Sequence, residues 1–149
     1  MSIEFQKALD KKRIVSFARA KGLVKNELNQ AQDDLDEAHD RFKSQRYKYE
    51  TITGYYAMFH SARALLYSRG YCEKNHYYLI VALNSLFVDN GLLDEVLVKE
   101  FHDAMVLRED ADYHGNFSQE GAESVLKSAE EFLNKTETLL KNNSNSKEV

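Results

Sequence analysis

The side chains of this sequence best suited to chemistry are an arginine and a histidine six positions apart, Arg108 and His114. The arginine falls where an apolar stripe of helical spacing would continue; that stripe is formed by Leu93, Val96, Leu97, Phe101, Ala104 and Met105. An arginine on an apolar stripe is either paired with an acid or retained for a function. The sequence therefore singles out residues 107–116 as the candidate site.

The two residue types suit cleavage of an RNA phosphodiester bond. Such cleavage needs a base for the ribose 2′-hydroxyl, an acid for the leaving 5′-oxygen, and cations for the charge on the phosphoryl oxygens. A histidine can transfer protons near neutral pH, and an arginine can bind two phosphate oxygens without losing its charge. We interpret His114 as the proton-transfer group and Arg108 as the phosphate-binding group.

Whether the two side chains meet depends on where their helix ends. Along an unbroken helix, six residues would leave His114 about 120° around the axis from Arg108. An end near Asp112 or Tyr113, which the following Gly115–Asn116 favours, would let them converge. The alternatives are an ion pair of Arg108 with Asp112, or with an acid on another helix, and an exposed loop position for His114.

Length and composition predict one cytoplasmic domain. The chain has 149 residues, 43% hydrophobic and 30% charged, which is ordinary for a globular protein. It has no proline, and its single Cys72 cannot form an internal disulfide. No apolar run is long enough to span a membrane, and the polar start predicts no signal peptide. The formal charge of -4 gives no general attraction to nucleic acid, so RNA would need a local basic patch.

Hydrophobic spacing predicts helices throughout and no strand. After a short polar lead-in, the ranges are about 16–43, about 49–69, from the N-cap Asn75 to the break at 89–91, about 94–112, and from the N-cap Ser118 to about 141. Gly70 is expected to close the second of these helices. We expect an all-α fold, an up-and-down bundle of four main helices plus one additional helix. The bundle is one domain over residues 1–141, followed by a disordered polar tail over 142–149.

Three segments of these helices form a recognisable pattern. The second helix reads Tyr-Tyr-Ala-Met-Phe-His-Ser-Ala-Arg-Ala-Leu-Leu over residues 55–66, and Lys-Asn-His opens the third over 74–76. The fourth ends Leu-Arg-Glu-Asp-Ala-Asp-Tyr over 107–113. Together they resemble the HEPN family (higher eukaryote and prokaryote nucleotide-binding domains), in particular its small stand-alone prokaryotic members. The resemblance covers about residues 12–140.

The HEPN resemblance implies a homodimer with a cleft between two-fold related subunits. It also implies a catalytic pair at that cleft, an arginine followed after four to six residues by a histidine, which Arg108 and His114 match with five residues between them. In active family members this pair supports metal-independent RNA cleavage, and many are toxins held in check by a partner minimal nucleotidyltransferase, the antitoxin. We expect no cofactor, no bound metal and no membrane partner. The other residues that could border the cleft are Asp112, Tyr113, Tyr56, His60 and Arg63.

One position departs from the family pattern. Family toxins that are silenced by adenylylation usually carry a tyrosine two residues after the histidine. Here that position is Asn116, and the nearby Tyr113 precedes the histidine instead. Whether Tyr113 is modified is therefore left open by the sequence.

Two other functions remain alternatives. The first is a non-catalytic HEPN module whose cleft binds a nucleotide or a partner nucleotidyltransferase. The second is a metal-binding helical bundle, because Asp36-x-x-His39 and Glu73-x-x-His76 mimic half of a di-iron ligand pattern. The metal alternative is the weaker one, since Glu73 and His76 straddle a predicted helix start.

A small basic patch lies in the connection between the first two long helices. Lys43, Arg46 and Lys48 alternate there with Tyr47 and Tyr49. Such a patch could contact an RNA backbone, but charged residues in a helix connection are more often only solvated. The sequence leaves both interpretations open.

Overall fold

Helices account for most of the chain in this computed structural model, which describes the backbone of residues 1–147 and the side chains of residues 1–142. The elements are α1 (Ile3–Asp10), β1 (Ile14–Ser16), α2 (Val24–Lys43), α3 (Tyr47–Ser68), β2 (Tyr71–Glu73), α4 (His76–Leu83), α5 (Glu95–His114) and α6 (Gln119–Lys147). A 3₁₀ turn, Ala20–Leu23, precedes α2, and a π-helical turn, Asn84–Val88, continues α4. The predicted all-α fold is confirmed, with α2, α3, α5 and α6 as its long helices.

The central element is α3, which packs against α2, α4, α5 and α6. Its fully buried side chains include Tyr55, Met58 and Leu65. The contact with α6 is especially close, because a Cβ placed on Gly54 would lie 2.9 Å from Cγ1 of Val125. Glycine has no Cβ, and it therefore allows the two helix surfaces to touch at this point.

The first long helix begins later than the sequence predicts. Residues 14–16 form the strand β1, which pairs antiparallel with β2, so the predictions of a helix from about residue 16 and of no strand are wrong here. The β-branched Ile14 is buried in register with Glu73, and the Phe17 N–H donates to the Gly70 carbonyl at 2.8 Å. The three-residue step from Ile14 to Phe17 resembles a helical spacing, but Ile14 lies in the strand and Phe17 in the segment that follows it.

The predicted helix ends are confirmed at three positions. The Asn75 side chain accepts a hydrogen bond from the Tyr78 N–H at 3.2 Å, and the Ser118 hydroxyl accepts one from the Gly121 N–H at 3.0 Å. Gly70, after α3, has the left-handed φ of +81° that closes a helix. These contacts satisfy backbone groups that a helix end leaves without partners.

The C-terminal end of the described chain belongs to α6. The predicted disordered tail over 142–149 lies partly on this helix, whose backbone is described through Lys147, and partly on residues 148–149, which lie outside the described residues. The prediction of disorder there stays a prediction. Within the described residues, none of the helices combines the length and the apolar character that crossing a membrane requires.

A carboxyl group is buried without a partner near the start of α3. Glu50 is fully buried, and neither of its carboxyl oxygens finds a hydrogen-bond partner among the described residues. Burial, with a smaller contribution from the nearby Glu123, raises the pKa of Glu50 from 4.5 to about 7. The folded chain therefore favours the neutral form of this side chain.

Replacing Glu50 should change how the stability of the fold depends on pH. The unfolded carboxyl ionises near 4.5 and the folded one near 7, so the native chain loses stability as pH rises through 7. Glu50→Gln should raise the melting temperature by several degrees at about pH 8 and much less at about pH 5, since 1 kcal/mol shifts it by roughly 2–4 °C in a domain of this size. Thermal melts followed by circular dichroism measure this. The exposed Glu131→Gln is the matched control, and an equal effect of Glu50→Gln at both pH values would contradict the buried-acid interpretation.

Candidate functional site

Arg108 joins α5 to α3 at the edge of the core. Its side chain is only 12% exposed, and its Nη2 donates to the Tyr56 hydroxyl at 2.8 Å. The same nitrogen lies 3.3 Å from a carboxylate oxygen of Asp112, one turn further along α5. The predicted ion pair with Asp112 is therefore present, and Tyr56 is a second partner that comes from another helix.

Three aromatic rings surround the Arg108 guanidinium. Its central carbon lies 5.2 Å from the ring centre of Tyr56, 5.3 Å from that of Tyr113 and 5.8 Å from that of Tyr55. These distances lie within the range of cation–π attraction. The buried Nε of Arg108 has no hydrogen-bond partner among the described residues. The ring contacts and the two polar contacts hold the guanidinium in one orientation.

Behind these rings lies a tyrosine–histidine contact that the sequence did not predict. The Tyr55 hydroxyl is 2.6 Å from Nδ1 of His76, and the Tyr55 ring stacks on Phe101. Burial raises the pKa of Tyr55, whose phenol therefore stays protonated and can donate to the imidazole. Burial, followed by the charge of Arg108, lowers the pKa of His76 and favours its neutral form. The partner of His76 thus lies 21 residues earlier in the chain, on α3.

His114 lies apart from Arg108 within one chain. The helix α5 is continuous through His114 and ends at Gly115, which has a left-handed φ of +63°. The helix therefore does not end near Asp112, and His114 lies about 120° around its axis from Arg108 and about 9 Å further along it. The His114 side chain is exposed at this end of the bundle. Because α5 does not end before His114, one subunit does not bring the two side chains together.

The predicted cleft residues His60 and Arg63 belong to a neighbouring set of ion pairs. His60 Nδ1 lies 2.6 Å from a carboxylate oxygen of Glu27 on α2, and its Nε2 lies 3.7 Å from Asp34. Arg63 Nη2 donates at 2.8 Å to Glu73, the last residue of β2. Glu27 and Glu73 are buried. Arg63 supplies a counter-charge to Glu73 and lies 3.9 Å from Glu27, and His60 gives Glu27 a hydrogen-bond partner. They cross-link α2, α3 and β2.

Sequence reasoning missed Glu27, although a signal was present. Along α2 the apolar seam steps through Val24, Leu28 and Ala31, and Glu27 shares the face of this seam. An acid on the apolar side of a helix predicts a buried cationic partner. In the structure Glu27 meets His60 and Arg63 on α3, which hydrophobic spacing alone could not identify.

The Phe59 ring contacts both His76, the partner of Tyr55, and Arg63, the partner of Glu73. Its ring centre lies 4.3 Å from that of His76 and 4.4 Å from the central carbon of the Arg63 guanidinium.

Of the residues predicted to line a cleft, the structure brings Tyr56, Asp112 and Tyr113 to Arg108 itself. It assigns His60 and Arg63 to the adjacent ion pairs and leaves His114 on a different side of α5.

The residues of the metal-binding alternative are held by other partners. His39 Nε2 lies 2.5 Å from Glu130 on α6, whereas Glu73 and His76 contact Arg63 and Tyr55 respectively. Among the described residues, no group of three or more His, Cys, Asp and Glu side chains is arranged to hold a metal ion. The two half-motifs seen in the sequence are therefore not assembled into one site there.

Comparison with known proteins assigns the chain to a family. A family model described as "HEPN domain" matches residues 24–139. The chain is 32% identical over 112 residues to "Putative toxin MJ0605" of Methanocaldococcus jannaschii, covering 74% of this chain and 84% of the relative. It is 28% identical over 115 residues to "Putative toxin MJ0142" of the same organism, covering 76% and 78%. It is 27% identical over 133 residues to a "UPF0332 protein" of Thermotoga maritima, covering 88% and 94%. With most of its helical bundle matched by the family model, this chain belongs to the HEPN domain family.

Proposed function

We propose that this HEPN protein is a metal-independent endoribonuclease and the toxin of a pair with a minimal nucleotidyltransferase antitoxin. The observation that carries the proposal is Arg108, a cation fixed by Tyr56 and Asp112 at the partly open edge of the core. The names of two relatives, which describe them as toxins, support the toxin role. The proposed protein cleaves RNA in the cytoplasm.

The proposed chemistry divides between the two predicted residues. The Arg108 guanidinium binds the non-bridging phosphoryl oxygens and stabilises their growing negative charge. The His114 imidazole accepts the proton of the ribose 2′-hydroxyl as that oxygen attacks phosphorus. The bond from phosphorus to the 5′-oxygen then breaks, and an imidazolium protonates the leaving oxygen. No step requires a metal ion.

The proposed active site is formed by two copies of the chain. Because Arg108 and His114 point to different sides of α5, a complete pair needs His114 from a second subunit. Two aromatic side chains are exposed at the end of α5 and just after it: Tyr113 is 67% exposed and Phe117 is 49% exposed. A two-fold dimer through this end would cover these side chains and bring one subunit's His114 toward the other's Arg108.

The first test is RNA cleavage by the purified protein in the presence of a metal chelator. Arg108→Ala and His114→Ala should each lower the cleavage rate on the order of a hundredfold, the usual effect of removing a proton-transfer group or a charge-stabilising donor. Arg108→Lys should retain less activity than the parent, because an ammonium group lacks the planar fork of N–H donors with which a guanidinium holds two phosphate oxygens. His102→Ala removes another exposed histidine of α5 and should leave the rate unchanged.

Three results would contradict this assignment. These results are no RNA cleavage by the parent protein at any concentration, loss of cleavage when chelator is added, and a fall in cleavage rate for His102→Ala as large as that for His114→Ala. Thermal melts of each variant separate a loss of chemistry from a loss of folding. Arg108→Ala needs this check most, because it removes the Arg108 contact with Tyr56.

A second prediction concerns the division of the site between subunits. Arg108→Ala and His114→Ala chains, each inactive alone, should regain about a quarter of the parent activity when mixed as equal amounts of exchanging subunits. Half of the dimers are then mixed, and each of these has one of its two sites intact. Two different affinity tags isolate the mixed dimer for the assay. An inactive mixed dimer would mean that each site takes both residues from the same subunit.

A non-catalytic HEPN module is the second candidate. The observation that favours it is the pairing of Arg108 with Asp112, which already neutralises the guanidinium within one chain. In that case the protein binds a nucleotide or a nucleotidyltransferase through the same face and cleaves no RNA. Binding of adenosine nucleotides that is lost in Arg108→Ala, together with the absence of cleavage, would select this candidate.

A further inference from the structure

The corner where α2 turns into α3 presents cations and aromatic rings together. We define the α2–α3 corner as residues 42–49, which include Lys43, Arg46 and Lys48. Phe42 and Tyr49 are both exposed there, Tyr49 by 44%. Gln45 turns the chain with a left-handed φ of +60°, and the Arg46 N–H donates to the Arg41 carbonyl at 2.8 Å. The turn therefore gives the corner a defined shape.

Two of these cations are held against one ring. The guanidinium carbon of Arg46 lies 5.4 Å from the centre of the Tyr49 ring, and the Lys48 Nζ lies 5.6 Å from it. Both distances fall within the range of cation–π attraction. The exposed Tyr49 ring, the guanidinium and the ammonium group thus form one cluster rather than three independent side chains.

No acid among the described side chains neutralises the positive charge of the corner. Among the ion pairs of the described side chains, none includes Lys43, Arg46 or Lys48, whereas Arg41 just before them pairs with Glu37. The adjoining acid, Glu50, is turned into the core. In a chain with a formal charge of -4, these cations form a local positive patch.

The corner shares a face of α3 with the candidate site. Tyr49 and Tyr56 are seven residues apart on one helix, so they point in nearly the same direction about 10 Å apart. Tyr56 accepts the hydrogen bond from Arg108. A chain molecule bound at the corner and lying along this face would therefore reach Arg108 within two helical turns.

We propose that the α2–α3 corner is a binding subsite for single-stranded RNA next to the Arg108 site. Lys43, Arg46 and Lys48 contact backbone phosphates, and a base stacks on Tyr49. This inference rests on the proposed function for the identity of the ligand as RNA. A single strand fits because its bases are free to stack on an aromatic side chain, whereas the bases of a duplex are stacked on one another.

The test measures binding separately from cleavage. The probe is a fluorescein-labelled oligouridylate of about twelve nucleotides, within the site sizes of single-strand binders, made with 2′-O-methyl ribose so that no 2′-hydroxyl can attack. Fluorescence anisotropy gives its dissociation constant at several salt concentrations. The variants are Arg46→Ala/Lys48→Ala, Tyr49→Ala and Tyr49→Phe. The matched control is Lys7→Ala/Lys11→Ala, which removes the same charge from the exposed surface at α1.

Both the charge and the ring should contribute to affinity. Arg46→Ala/Lys48→Ala should weaken binding at least tenfold and reduce the slope of log affinity against log salt by roughly one to one and a half, since each phosphate contact to a single strand contributes about 0.7. Tyr49→Ala should weaken binding roughly tenfold, and Tyr49→Phe should leave it nearly unchanged, because stacking uses the ring and not the hydroxyl. The control pair should bind like the parent protein.

Failure of this inference is distinguishable from failure of the proposed function. If the parent protein does not bind the probe, or if the corner and control pairs weaken binding equally, the corner is not an RNA subsite, even when Arg108-dependent cleavage is present. If Tyr49→Ala binds normally, the stacking role is overturned. If the corner variants lose binding as expected but the parent cleaves no RNA, the subsite stands and the nuclease proposal falls.

Discussion

The contact between Arg108 and Tyr56 is the interaction on which the candidate site depends. A guanidinium on the apolar side of α5 must exchange water for other partners, because an uncompensated buried charge is strongly destabilising. The Tyr56 hydroxyl and the Asp112 carboxylate supply those partners, and three tyrosine rings lie around the guanidinium. The result links α5 to the central helix and fixes a cation at a surface that is partly open to solvent.

The two sides of α3 serve different purposes. Gly54 brings one side into close contact with α6, where the packing leaves no room for a side chain. The other side presents a polar stripe on which Tyr49, Tyr56 and His60 recur at intervals of seven and four residues. Polar contacts with buried acids hold the stripe to α2 and β2 at one end, while at the other end the cations of the α2–α3 corner pair with no acid among the described side chains. Charge is thus satisfied where the fold requires it and left available near the candidate site.

Sequence reasoning succeeded where local interactions decide the structure. Asn75 and Ser118 cap helices through bonds to residues three positions away, so their types and positions were sufficient. It failed over residues 14–23, where β1 forms only because β2, more than fifty residues later, supplies its partner. It also missed the contact between His76 and Tyr55, since no spacing within α4 indicates which helix its imidazole faces. Spacing identifies the buried side of a helix but not the residue it meets.

The sequence by itself determined the helices, most of their ends, the HEPN resemblance and the choice of Arg108 as a charge that needs a partner. Those properties follow from hydrophobic periodicity, capping and residue type, all of which act over a few neighbouring residues. Only the tertiary structure decided that Tyr56 is that partner, and that α5 continues through His114 and turns it away from Arg108. The physical reason is that the partner of a side chain depends on packing between elements distant in sequence, which no local pattern specifies.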